Sequence, residues 1–94
     1  MPTYAERIRA KLEAGLAPAS LDILDESAKH AGHAGAAPGG ETHFRVRIVS
    51  AAFAGKGRVD RQRKVYALLA EELAERVHAL ALETRTPEEA ARSA

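Results

Sequence analysis

The sequence predicts an α+β fold: a three-stranded sheet with helices packed on it, in α-β-β-α-β-α order. Three stretches carry that prediction. Residues 43–50, HFRVRIVS, alternate Phe44, Val46 and Ile48 with Arg45, Arg47 and Val49, the period of a half-buried strand. Val65, Leu68, Leu69 and Leu73 recur at helical spacing in the segment leading to Arg76. Residues 77–84, VHALALET, return to strand alternation. A chain of 94 residues, 46% apolar and 29% charged, has the size and composition of one small folded domain, residues 1–94. At that length roughly 60–65% of the unfolded chain's surface can be buried, so the core must be compact.

The first helix opens at Thr3. Thr3 and Glu6 have capping-box spacing, in which hydroxyl and carboxylate each satisfy the other residue's backbone N–H. Ala5, Ile8, Leu12 and Leu16 form its apolar face. Gly15 is expected to end it in a left-handed conformation, and Pro18 to prevent its resumption. Leu21–Asp25 reads as a short half-buried strand, with Leu21 and Ile23 on one face. The pattern then stops. Residues 27–42, SAKHAGHAGAAPGGET, hold four glycines, a proline and two histidines. A loop of this length in so small a domain is commonly functional or disordered. The strands on either side are expected to pair as a long-looped antiparallel hairpin. Residues 51–57, AAFAGKG, form a turn with Phe53 as a core anchor. Asp60 is predicted as the N-cap of a helix that runs to about Arg76. Thr86, Pro87 and Glu89 repeat the capping box, with proline at the first helical position. A short terminal helix from Pro87 to about Arg92 follows.

Composition excludes several classes of function. The chain has no cysteine, so it carries no disulfide, no thiolate nucleophile and no Cys-ligated metal site of its own. No apolar run approaches the roughly 18–20 residues of a membrane span. The N-terminus turns amphipathic at once and does not read as a secretory signal, so a cytoplasmic location is expected. Fourteen basic and thirteen acidic side chains nearly cancel, which leaves room for a local charged patch only. G-x-S-x-G, a Walker loop and H-E-x-x-H are absent, and Ser27 and Ser50 lack an evident base, so the chain is read as a non-enzyme.

Two features could carry chemistry. His30 and His33 lie in the glycine-rich loop, His43 opens the second strand and His78 the third. Neutral imidazole is a good ligand for iron, zinc or copper. A lone histidine at a strand start is ordinarily a hydrogen-bonded structural residue, however, and two histidines do not complete a tetrahedral site. Any tight metal site therefore needs further ligands, from this chain or from a partner. The second feature is Lys56, Arg58, Arg61, Arg63 and Lys64 set against Asp60, a local charge of +4. At a helix start it could contact phosphates, although such a run is ordinarily a solvated face. With 4% aromatic residues there is little for base stacking.

Several motifs in combination resemble the BolA family. They are Asp25-Glu26-Ser27, Gly40-Glu41-Thr42-His43-Phe44-Arg45-Val46, Ile48-Val49-Ser50 and Phe53-x-Gly55 in the first half. Arg61-x-Arg63-x-Val65-Tyr66, the run Val77-His78-Ala79-Leu80-Ala81-Leu82, and Thr86-Pro87-x-Glu89 continue the likeness to the end. It spans nearly the whole chain. It implies a fold similar to a class II KH domain, in agreement with the order read above. It also implies an adaptor or regulator that pairs with a monothiol glutaredoxin and shares a bridging [2Fe-2S] cluster. In such pairs the glutaredoxin supplies a cysteine thiolate and bound glutathione another. The BolA-like partner supplies a histidine from the third strand and a histidine or cysteine from the long loop.

By position the strand ligand corresponds to His78, and the loop ligand to His30 or His33. The distance from Asp25-Glu26-Ser27 favours His30, while extra residues before Pro38 leave His33 able to reach. His43 is read as structural. Gln62 stands where many members have histidine, which argues against a ligand there. Some members of the family are described as DNA-binding transcriptional regulators. The alternative expectation is accordingly a DNA contact through Arg58, Arg61, Arg63 and Lys64. A standalone zinc protein is a third reading. The isolated chain is expected to be a monomer or weak dimer, with a loop that orders on assembly with its partner.

Overall fold

The structure, a computed structural model, describes residues 2–27 and 40–93. The first helix, α1 (Tyr4–Leu16), starts at the expected capping box. The Glu6 N–H donates to Thr3 Oγ1 at 3.1 Å, and the Thr3 N–H to Glu6 Oε1 at 3.0 Å. It ends at Ala17, which takes the left-handed conformation (φ 41°) and donates its N–H to the Glu13 carbonyl at 3.1 Å. Gly15, expected to be the terminator, lies inside the helix instead. A Cβ there would stand 2.7 Å from Leu68 Cδ2, so the glycine serves close helix packing.

Strands β1 (Ser20–Asp25) and β2 (His43–Val49) pair antiparallel as expected, Ser20 opposite Val49 and Asp25 opposite Phe44. The loop between them, with His30 and His33, lies largely outside the described residues. A short 3-10 turn (Ala51–Phe53) follows. Ser50 caps it through an N–H donation from Ala52 to Oγ at 3.1 Å, and the turn buries Phe53 completely.

The expected long helix is two. Helix α2 (Arg58–Leu68) is capped by Gly57 rather than Asp60, which lies in the first turn where a carboxylate favours the helix dipole. The chain turns at Leu69 (φ −105°, ψ 18°) and resumes as α3 (Ala70–Glu75). Helix α3 carries Glu72, a fully buried carboxylate. The turn brings Glu72 against Arg7 and Lys11 of α1, which neutralise it. Strand β3 (Ala79–Arg85) starts two residues later than the alternation suggested, leaving His78 just ahead of it. It pairs parallel to β2, His43 opposite Ala79 and Val49 opposite Arg85, so the sheet order is β1-β2-β3. Helix α4 (Pro87–Ser93) opens with the second capping box, Thr86 N–H to Glu89 Oε1 at 2.9 Å and Glu89 N–H to Thr86 Oγ1 at 3.2 Å.

The core lies between the helices and one face of the sheet. Ile8, Leu12 and Leu16 of α1 meet Phe44, Val46 and Ile48 of β2, with Phe53, Val65, Leu69 and Val77 filling the space between. The alternating residues of β2 are thus buried because the central strand has the helical layer on that face.

Candidate functional site

Topology gathers three chain segments at one end of the sheet. Strand β2 starts there, β3 starts beside it because the pair is parallel, and β1 ends there because it is antiparallel to β2. His43 and His78 therefore become neighbours although 35 positions apart, their ring centroids separated by 6.5 Å with planes tilted by 55°. His78 is exposed and its ring has no hydrogen-bond partner among the described residues, while His43 is half-buried. The main chain at His78 is fixed by donation of its N–H to the Thr42 carbonyl at 2.8 Å.

The two ends of the segment 28–39 are held together at the same place. Ser27 Oγ, buried, accepts the backbone N–H of Thr42 at 2.9 Å and that of His43 at 3.2 Å. The Asp25 carboxylate accepts the Ser27 N–H at 2.9 Å and the Glu41 N–H at 3.1 Å. Partial burial would raise the Asp25 carboxyl, but hydrogen bonds from the Ser27 side chain and backbone and from Glu41 outweigh it and hold it below the ordinary value. Gly40 (φ 70°) and Glu41 (φ 62°) are both left-handed. The Arg76 guanidinium secures this turn by donating from Nε and Nη2 to the Gly40 carbonyl at 3.0 and 2.7 Å. Glu41 Oε1 in turn accepts the Ala5 N–H at 3.2 Å. The exit of the histidine-bearing loop is thus tied to α1, β1 and the end of α3.

The basic stretch lies toward the opposite end of the sheet, where α2 begins. Arg61 there is committed to the fold: it donates to Glu89 Oε1 at 2.7 Å, to the Thr84 carbonyl at 3.0 Å and to the Lys56 carbonyl at 2.8 Å. The pairing holds the Glu89 carboxyl down at about 2. Arg58 and Arg63 are exposed and Lys64 half-buried, none with a partner among the described residues. Lys56, Arg58 and Arg85 rim an open cleft of about 500 Å³ between α2, β3 and α4.

Of the residues singled out in the sequence, the structure brings His43 and His78 together and places Arg61 beside Arg58 on the cleft but engaged with Glu89 and main-chain carbonyls. His30 and His33 lie outside the described residues. Among the described residues no group of three or more metal-ligating side chains forms. Sequence reasoning missed the Asp25–Ser27–Thr42 cluster and Arg76. The first was signalled by the motif residues Asp25, Ser27 and Thr42. Arg76 had no signal, because its partner is a main-chain carbonyl.

Comparison with known proteins agrees with this architecture. A BolA-like protein family model matches residues 12–89. The human BolA-like protein 1 is 51% identical over 80 residues, covering 85% of this chain and 56% of that protein. The DNA-binding transcriptional regulator BolA of Escherichia coli is 46% identical over 84 residues, covering 89% of this chain and 76% of that one. The solved BolA domain of SufE1 from Arabidopsis thaliana superposes with a TM-score of 0.85 at 47% identity, covering 95% of this chain and 98% of that domain. The chain spans from 24% to 56% of the length of several curated relatives that it matches. With the family match over most of its length, a shared α+β fold and relatives near half identity, this chain belongs to the BolA-like protein family.

Proposed function

We propose that the chain is a non-enzymatic adaptor that pairs with a monothiol glutaredoxin and shares a bridging [2Fe-2S] cluster, serving iron–sulfur trafficking or iron-responsive regulation. One observation carries the reading. His78 presents an exposed, unengaged imidazole beside Ser27 and Gly40–His43, the anchored ends of the segment that holds His30 and His33. Either loop histidine would then have a short path to an ion held by His78. The donor set fits half of a mixed ligand shell. This chain has imidazoles and no thiol, so the sulfur donors come from the glutaredoxin cysteine and glutathione. When bound, the cluster supplies redox and transfer chemistry; the chain's own residues hold and orient its histidines.

Co-expression with a monothiol glutaredoxin, followed by visible circular dichroism, tests the proposal. His78→Ala is expected to abolish the bridged-cluster spectrum, and one of His30→Ala and His33→Ala to weaken it strongly. A pair that holds its iron equally well with His78→Ala refutes it.

A second reading, DNA binding, is favoured by the name of the Escherichia coli relative and by unpartnered cations along α2. Here Arg58, Arg63 and Lys64 make the phosphate contacts. Arg61 is occupied by Glu89 and backbone carbonyls and serves to dock α4.

A further inference from the structure

The basic end of the sheet holds donors that the fold leaves unused. The cleft of about 500 Å³ between α2, β3 and α4 is lined by Lys56, Arg58, Arg61 and Arg85, with Glu83 and Glu89 as the acidic residues on its wall. Both carboxylates are answered from within the protein, Glu89 by Arg61 at 2.7 Å and Glu83 by Arg47 at 3.0 Å. Arg61 also takes up the Lys56 and Thr84 carbonyls, at 2.8 and 3.0 Å. The side chains of Lys56, Arg58 and Arg85 are exposed and have no partner among the described residues. The turn before α2, its first residue and the end of β3 thus bring free cations to one concavity whose acidic groups are already engaged. Gathered like charges repel, and an anion among them relieves that cost. Gly57 opens the same wall. Its backbone is extended (φ −73°, ψ 168°), which any residue adopts, and a Cβ there would meet nothing within 4 Å. Neither conformation nor packing calls for glycine at this position. What the missing side chain provides is close approach to the main chain from the cleft.

We infer that this cleft binds a small molecule carrying adjacent phosphates, a nucleoside diphosphate in class. Its volume lies in the range of small-molecule sites, roughly 300–1,000 Å³, and leaves room for more than the phosphates. Adjacent phosphates match the charge. A terminal phosphate carries about −1.5 to −2 at neutral pH and an inner one about −1, so the pair nearly balances Lys56, Arg58 and Arg85. The planar guanidinium groups of Arg58 and Arg85 suit paired bonds to phosphate oxygens, and Lys56 adds a point charge. The site goes beyond the cluster reading and shares no residue with it. It also differs from the DNA surface: Arg63 and Lys64 do not line the cleft, whereas Lys56 and Arg85 do.

The test titrates the full ¹⁵N-labelled chain with ADP, with pyrophosphate and with AMP at low salt, by NMR and calorimetry. ADP and pyrophosphate are expected to shift the backbone amide signals of the cleft residues Lys56, Gly57, Arg58 and Thr84. AMP, with a single phosphate, should bind about tenfold more weakly than ADP. Lys56→Ala, Arg58→Ala and Arg85→Ala should each weaken ADP about five- to tenfold, the scale of one exposed charge-assisted contact. Gly57→Asn keeps a good helix cap and should weaken ADP by closing the approach. R63A/K64A and His78→Ala should leave ADP affinity within about twofold, since neither change touches the cleft. Wild-type shifts confined to the outer face of α2 around Arg63 and Lys64 overturn the inference without any variant having to fold. So does AMP binding as tightly as ADP, or an ADP affinity indifferent to Lys56→Ala and Arg85→Ala. A DNA duplex that binds while ADP and pyrophosphate leave the cleft amides unmoved refutes this site and leaves the DNA reading standing.

Discussion

Glu72 shows how a single side chain is set by its neighbours. It is fully buried, with Lys11 Nζ 2.9 Å away and Arg7 donating from Nε at 2.9 Å. Burial would raise its carboxyl, but the hydrogen bond and charge of Lys11, with the charge of Arg7, overcome this and hold it below the ordinary value. A carboxyl lowered by folding stabilises above its unfolded value of roughly 4.3 and loses that contribution as pH falls through its folded value. Glu72→Ala is expected to cost on the order of 2–3 kcal/mol at pH 7 in urea unfolding. That is below the usual cost of breaking a buried pair, because Arg7 and Lys11 remain partly hydrated. The penalty should shrink as the pH is lowered from 5 toward 3; a penalty constant over that range would remove the charge from the explanation. None of this was legible in the sequence. Glu71, Glu72 and Glu75 are the same residue type within one short helix, and only Glu72 is buried. The Thr3–Glu6 and Thr86–Glu89 boxes, by contrast, were readable because both partners lie within one turn.

The elements divide along the same line. The strands and the start of α1 and α4 follow from period and capping, which are local. Where α1 stops does not: the helix continues past Gly15, which packs against Leu68, and Ala17 takes the left-handed cap. An L-residue in that conformation costs roughly 1–2 kcal/mol, and glycine avoids it. Ala17→Gly is therefore expected to stabilise the protein by about 0.5–1 kcal/mol in thermal or denaturant unfolding, part of the gain being offset by unfolded-chain entropy. A destabilised variant would contradict the cap assignment. The division of the long helix at Leu69 was equally hidden, since Val65, Leu68, Leu69 and Leu73 keep helical spacing across the break.

Across the whole molecule, the two candidate surfaces lie at opposite ends of the sheet. The histidine end is built from the starts of β2 and β3, and the basic end from their far ends and the start of α2. Seven-residue strands put them on the order of 20 Å apart. If Arg58, Arg63 and Lys64 neutralise three phosphates, the logarithm of DNA affinity should fall with the logarithm of salt at a slope of about −3. Charge reversal of these three should flatten the slope, while His78→Ala leaves it unchanged. DNA affinity indifferent to all three reversals would refute that surface. By itself the sequence determined the element types, the α+β class, the capping boxes, the absence of any thiol donor and the family, because these reside in residue identity and short-range spacing. Only the tertiary structure decided that His43 faces His78, that Arg61 belongs to the fold and that Glu72 is buried. Each of those depends on which distant segments the parallel crossover and the packed helices bring within a few ångströms, and that is a property of pairing rather than of local period.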